Sequence, residues 1–140
     1  MSLEPLLTAP LAVRLHALPA FAAFALGIVQ LVAPKGTLPH RALGWTWVVL
    51  MAMVAISSFF IHTICTLGSY SVIHLLSIAT LAYLPIGVRR ARAHDVNRHR
   101  KTMLLLFLGA LLIAGGFTFM PGRIMHDVAF DTQTTHGTCR

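Results

Sequence analysis

Four apolar stretches, each about as long as a bilayer's hydrocarbon core is thick, occupy most of this chain, and they leave few folds open to it. Roughly 20 apolar residues in a helix cross that core. The first stretch runs from about Leu11 to Ala33 and ends at Pro34-Lys35-Gly36. The second runs from about Ala42 to Leu67 and closes at Gly68, and the third runs from Val72 to Val88 and stops at Arg89-Arg90. The fourth, about Thr102 to Met120, ends at Pro121-Gly122. Proline and glycine placed after apolar runs are ordinary helix stops. The expectation is an all-α integral membrane protein: a single four-helix up-down transmembrane bundle over residues 1–140, with helices at about 11–33, 42–67, 72–88 and 102–120.

Composition agrees. Of the 140 residues 56% are hydrophobic and 11% charged, whereas a soluble domain carries about 25% charged residues. The net charge of +7 would in a soluble protein raise nucleic acid as a partner. Here the cations sit between apolar runs, so they read as orientation signals and not as a nucleic-acid footprint. The first apolar run resembles a secretory leader in length. Glu4, the interrupting Arg14 and the lack of a small-residue cleavage pattern instead favour a retained first helix.

Lysine and arginine then set the orientation. The third connection holds Arg89, Arg90, Arg92, Arg98, Arg100 and Lys101, the first holds Lys35 and Arg41, and the second, around Gly68-Ser69-Tyr70, holds none. Both basic connections fall on one side of a four-helix path. The positive-inside rule places them in the cytoplasm and both termini outside. Residues from Ile124 onward form a short polar outer tail with Asp127 and Asp131. Cys65 and Cys139 would share the oxidising side, where a disulfide and two free thiols are equally open.

Eight histidines in so apolar a chain are the informative anomaly, because ionisable residues at membrane depth are costly and tend to mark function. His16, His40, His74 and His99 open the first, second, third and fourth helices in turn. Since successive helices reverse direction, His16 and His74 lie near the outer face and His40 and His99 near the inner one. Members of each pair sit on alternate helices, which are diagonal neighbours in a simple bundle and can supply both axial ligands of a b-type haem. A weak internal repeat accompanies this: 24 residues separate His16 from His40 and 25 separate His74 from His99, and His40-Arg41 matches His99-Arg100. Gly27, Gly109, Gly115 and Gly116 permit close packing of helices or of a flat macrocycle, and equally ordinary packing.

Other readings of these histidines stand beside that one. His40 and His99 can lie at the headgroups and hold phosphate with Arg41 and Arg100. His16, His62 and His74 can share one outer metal ion, although no carboxylate helps and no zinc spacing is matched. A histidine can also hydrogen-bond a quinone headgroup. No acid falls within a span, and neither a phosphate-binding glycine loop nor a nucleophile elbow is present. Ser57 and Ser58, inside the second helix, are expected to satisfy themselves on their own backbone carbonyls.

The segments Pro34-Lys35-Gly36-Thr37, His40-Arg41-Ala42-Leu43-Gly44, His74-Leu75-Leu76-Ser77 and Phe117-Thr118-Phe119-Met120-Pro121-Gly122-Arg123 resemble the bacterial predicted-membrane-protein family known as domain of unknown function 2306. That resemblance, from about His16 to Arg123, implies a four-helix protein of the bacterial cytoplasmic (inner) membrane. The histidine layout is also similar to that of two-haem transmembrane cytochromes b, including the ascorbate-reducible type. Carried over, His16 with His74 would hold an outer haem b and His40 with His99 an inner one. Arg14 and Arg123 outside, and Arg41 and Arg100 inside, would lie near haem propionates. The departures are the short helices, Pro39 before His40, and the very basic setting of His99.

The function expected is therefore a small membrane b-type cytochrome-like electron carrier, exchanging electrons with quinone or other redox membrane proteins. The rival is a cofactor-free accessory or assembly subunit of a larger membrane complex, with lipid and other helices as its partners.

Overall fold

In the computed structural model, which describes residues 9–61 and 72–119, four long helices account for nearly everything. They are α1 (Leu11–Val32), α2 (Leu38–Ser58), α3 (Val72–Arg92) and α4 (Val96–Phe117). Among the described residues there are no strands. Helices α1, α2 and α4 are each long and apolar enough to cross a membrane. Helix α3, also 21 residues long, ends in Arg89, Arg90 and Arg92.

The starts of α2 and α4 are set by caps and not by where apolarity begins. Thr37 accepts a hydrogen bond from the backbone N–H of His40, and Pro39 occupies the first turn, where a missing N–H costs nothing. Helix α2 therefore begins at Leu38, ahead of the apolar run expected from Ala42. Asp95 likewise caps α4 by accepting from the Arg98 N–H at 3.1 Å, so α4 begins at Val96 and its basic first turns are helical. At the other end α2 stops earlier than expected. Phe59 and Phe60 turn back on Ile56 and Ser57 through short-range backbone bonds. The expected continuation to Leu67 lies, beyond Ile61, outside the described residues.

A tight turn joins α3 to α4. The Asp95 N–H reaches Arg90 O at 3.0 Å and the His94 N–H reaches Ala91 O at 3.1 Å, while His94 takes a left-handed φ of 58°. This is the Schellman arrangement, with histidine where glycine is commonest. The chain reverses within Ala93-His94-Asp95, and α4 packs antiparallel to α3.

Each helix packs against its neighbours in sequence, and α4 closes back on α1. The closure passes through Phe107–Ile113, a π-helical segment within α4. Here Phe107 stacks on Phe24 of α1, ring centroids 5.6 Å apart. The core between the helices is filled by Ala23, Trp47, Met51, Leu84, Leu106, Phe107 and Leu111. Met51 is wholly buried. Trp47 donates its indole N–H to Ala23 O at 3.0 Å, tying α2 to α1 with a bond that water has no means of replacing there.

Gly27 lets α1, α2 and α4 converge. A β-carbon at this position would lie 2.5 Å from the Phe107 ring and 3.1 Å from the Trp47 indole nitrogen. Both rings are held, one by stacking and the other by its hydrogen bond. A β-carbon at Gly87 would meet mainly the tip of Met103, which is flexible and can turn away. Gly27→Leu is therefore expected to destabilise the bundle by about 1–3 kcal/mol, the usual cost of overpacking. Gly87→Ala is expected to cost well under half of that. Reversible unfolding of both variants in mixed micelles measures the difference, and equal losses would contradict this account of the closure.

Candidate functional site

The polar side chains divide between the two ends of the bundle. One end is formed by the start of α1, the end of α2 and the start of α3. His16 sits there on α1, half-buried, with Nδ1 2.9 Å from Val54 O and 3.2 Å from Ser57 Oγ on α2. A carbonyl oxygen only accepts, so Nδ1 carries the proton and Nε2 keeps its lone pair. On α3, His74 is 4% exposed and its ring tilts against Phe59, centroids 5.7 Å apart. Ser77 and Thr80 continue the buried face of α3 inward.

Hydroxyls fill the space between these groups. Ser57 and Ser58 donate to Val54 O and Ala55 O, at 3.0 and 2.7 Å, as expected of serines inside a membrane helix. Ser58 also meets Ser77 Oγ at 2.5 Å, bridging α2 to α3. Arg14, two residues before His16, encloses its Nε without a hydrogen-bond partner among the described residues. Arg123, His62 and Cys65, expected at this end, lie outside the described residues, as does Cys139.

The opposite end holds His40, in the first turn of α2, and His99, in the first turn of α4. His99 on α4 donates Nδ1–H to Gly87 O of α3 at 2.9 Å, and Nε2 has no hydrogen bond among the described residues. The His40 backbone oxygen accepts from the Gln30 amide at 3.0 Å. His40 Nδ1 and Gln30 Oε1 are both enclosed and lack partners among the described residues. Arg90 donates to Thr102 Oγ1, joining α3 to α4, and Thr102 in turn donates to Arg98 O at 2.8 Å. Arg41 and Arg100 are exposed.

The structure thus groups His16 with His74 at one end and His40 with His99 at the other. Two histidines, one per end, share a feature no sequence pattern reveals: a ring fixed by Nδ1–H on the backbone carbonyl of a neighbouring helix. Metal-ligating histidines are oriented in this manner by a carbonyl or carboxylate on the far nitrogen. His16 and His99 are held in this manner, and the middle of the bundle around Trp47 and Met51 is filled by side chains and does not fit a macrocycle. Among the described residues no three of histidine, cysteine, aspartate and glutamate converge as ligands of a metal ion.

The Ser58–Ser77 contact is the directly testable polar link of the first end. Interhelical hydrogen bonds in membranes average about 0.6 kcal/mol by double-mutant cycle. Ser58→Ala, Ser77→Ala and the double variant are expected to give a coupling of about 0.5–1.5 kcal/mol in unfolding free energy, since this pair is short and enclosed. Additive losses would mean that the hydroxyls do not meet.

No curated protein and no solved structure matches the chain. A family match does, and it runs from residue 13 to residue 130, across α1 to α4 and beyond. With apolar helices of membrane length, capped and packed as above, the chain belongs to the predicted membrane protein family DUF2306.

Proposed function

We propose that this membrane protein is a small b-type cytochrome-like electron carrier, with His16 and His74 as axial ligands at one end and His40 and His99 at the other. The observation that carries the proposal is the fixed orientation of the His16 and His99 rings, each with Nδ1–H on a backbone carbonyl and Nε2 available. Bound haem would supply one-electron chemistry, and the histidines would set its orientation and help set its potential. Arg14, whose enclosed Nε has no hydrogen-bond partner among the described residues, suits an anionic propionate at the first end. Arg100 lies next to His99 at the second.

In this reading α3 also crosses the bilayer, packed between α2 and α4. At about 1.5 Å per residue its length matches that of its neighbours. The basic end, with Lys35, Arg41 and the Arg89-to-Lys101 segment, faces the cytoplasm of a bacterial inner membrane. Electron partners are quinone or other redox proteins in the same membrane.

The filled middle of the bundle favours a second reading, a cofactor-free accessory subunit of a larger membrane complex. Its histidines would then serve only to tie helices together.

A dithionite-reduced minus oxidised spectrum of the detergent-purified protein, with haem assayed on the same sample, separates the two. The carrier reading predicts cytochrome b bands with one or two haems per chain. His16→Ala or His99→Ala should lower that number, while His94→Ala, at the α3–α4 turn, should leave it unchanged. A featureless spectrum from protein made with ample haem would leave the accessory-subunit reading in place.

A further inference from the structure

We propose that Arg41, Trp45 and Arg92 form a headgroup site for an anionic phospholipid at the basic end of the bundle. Arg41 and Trp45 are four residues apart on α2 and so share one face of that helix. Arg92, from the last turn of α3, lays its guanidinium over the Trp45 ring, 5.7 Å from the centroid. One cation from α3 therefore sits against the indole, and a second, Arg41, lies one turn away on the same face of α2. The first is held there by the ring's π-face, an attraction that survives at a water–lipid boundary.

The charge of the occupant follows from what is missing around these cations. Asp95 is the one acid among the described residues, and it is engaged with the Arg98 side chain at 3.5 Å and with the Arg98 N–H. Among the described residues Arg41 and Arg92 thus have no carboxylate to neutralise them, and Arg89, Arg100 and Lys101 add positive charge at the same end. An anion from outside the chain completes the balance.

The same face shows that the anion carries an acyl chain. Trp45 is 51% exposed and Val49, one turn further into the membrane, is 55% exposed. Ile56, two turns beyond, continues the exposed apolar stripe. Cation, then indole, then aliphatic side chains is the order of polarity that a phospholipid presents from phosphate to tail. The site uses none of the histidines of the haem reading, and Arg41 and Trp45 are exposed on α2.

Trp45 provides its own reporter. The full-length protein is reconstituted in phosphatidylcholine vesicles containing a minor fraction of phosphatidylglycerol, with bromine on the acyl chains of one lipid or the other. Because the second tryptophan, Trp47, is buried, the Trp45 signal is the difference between wild type and Trp45→Phe. Occupation by the anionic lipid predicts quenching by brominated phosphatidylglycerol severalfold above its mole fraction. Arg41→Gln/Arg92→Gln should return the quenching to the mole fraction, and Arg98→Gln should leave the preference in place. Unchanged Trp47 emission certifies folding of each variant. Quenching that follows mole fraction in wild type would overturn the site. So would a preference that survives the double substitution, or one abolished by millimolar inorganic phosphate, which would indicate a site for free anions.

Discussion

Inside the hydrocarbon of a bilayer a polar atom has no water to bond with, so each one must find a partner in the protein or stay at the rim. The placement of nearly every polar group here follows from that constraint. The Trp47 indole, deep in the bundle, is bonded to Ala23 O. Ser57 and Ser58 turn their hydroxyls onto their own helix and across to α1 and α3. Thr80 does the same on Leu76 O. Between the two ends there remains an apolar layer centred on Met51, Leu84 and Phe107, closed at Gly27 by direct contact of aromatic rings.

The ends are not alike. One gathers histidine, serine and a single enclosed arginine. The other gathers nearly all the described cations around His40 and His99. The short α3–α4 turn is responsible for part of this difference. By reversing the chain within three residues it sets the basic first turns of α4 beside the basic last turn of α3. It also brings His99 onto Gly87, whose lack of a side chain is filled by Met103 and Thr102 from α4. Like charges are tolerated so close together because they reach outward to water and headgroups, and because Arg90, Arg92 and Arg98 are individually engaged by Thr102, Trp45 and Asp95.

Much of the helical framework was legible in the sequence, because apolar length is a local property. The start of α2 at Leu38 and of α4 at Val96 was not, since Thr37 and Asp95 act through hydrogen bonds that outweigh the polarity of the residues they precede. The early stop of α2 was also missed: hydropathy continues past Ser58 although the helix does not. That His16 and His74 fall at one end of the bundle and His40 and His99 at the other follows from the alternation of helix direction. Finding that His16 and His99 fix their rings on Val54 O and Gly87 O needed helix rotation, which spacing leaves undetermined. The π-helical segment at Phe107–Ile113 had no sequence signal beyond Gly109, and it decides how Phe107 meets α1.

The central claim is that this bundle commits Nδ1 of His16 and of His99 to the backbone, and the proposed function gives Nε2 to a ligand. Nitrogen-15 NMR of histidine-labelled protein in lipid, with the two residues assigned by loss of their signals in His16→Gln and His99→Gln, tests it most directly. Protonated Nδ1 in both, hydrogen-bonded and slow to exchange, with Nε2 unprotonated or metal-bound, is the result the account predicts. Protonated Nε2 with a bare Nδ1 in either residue would contradict it, and would remove the structural basis for histidine ligation at that end.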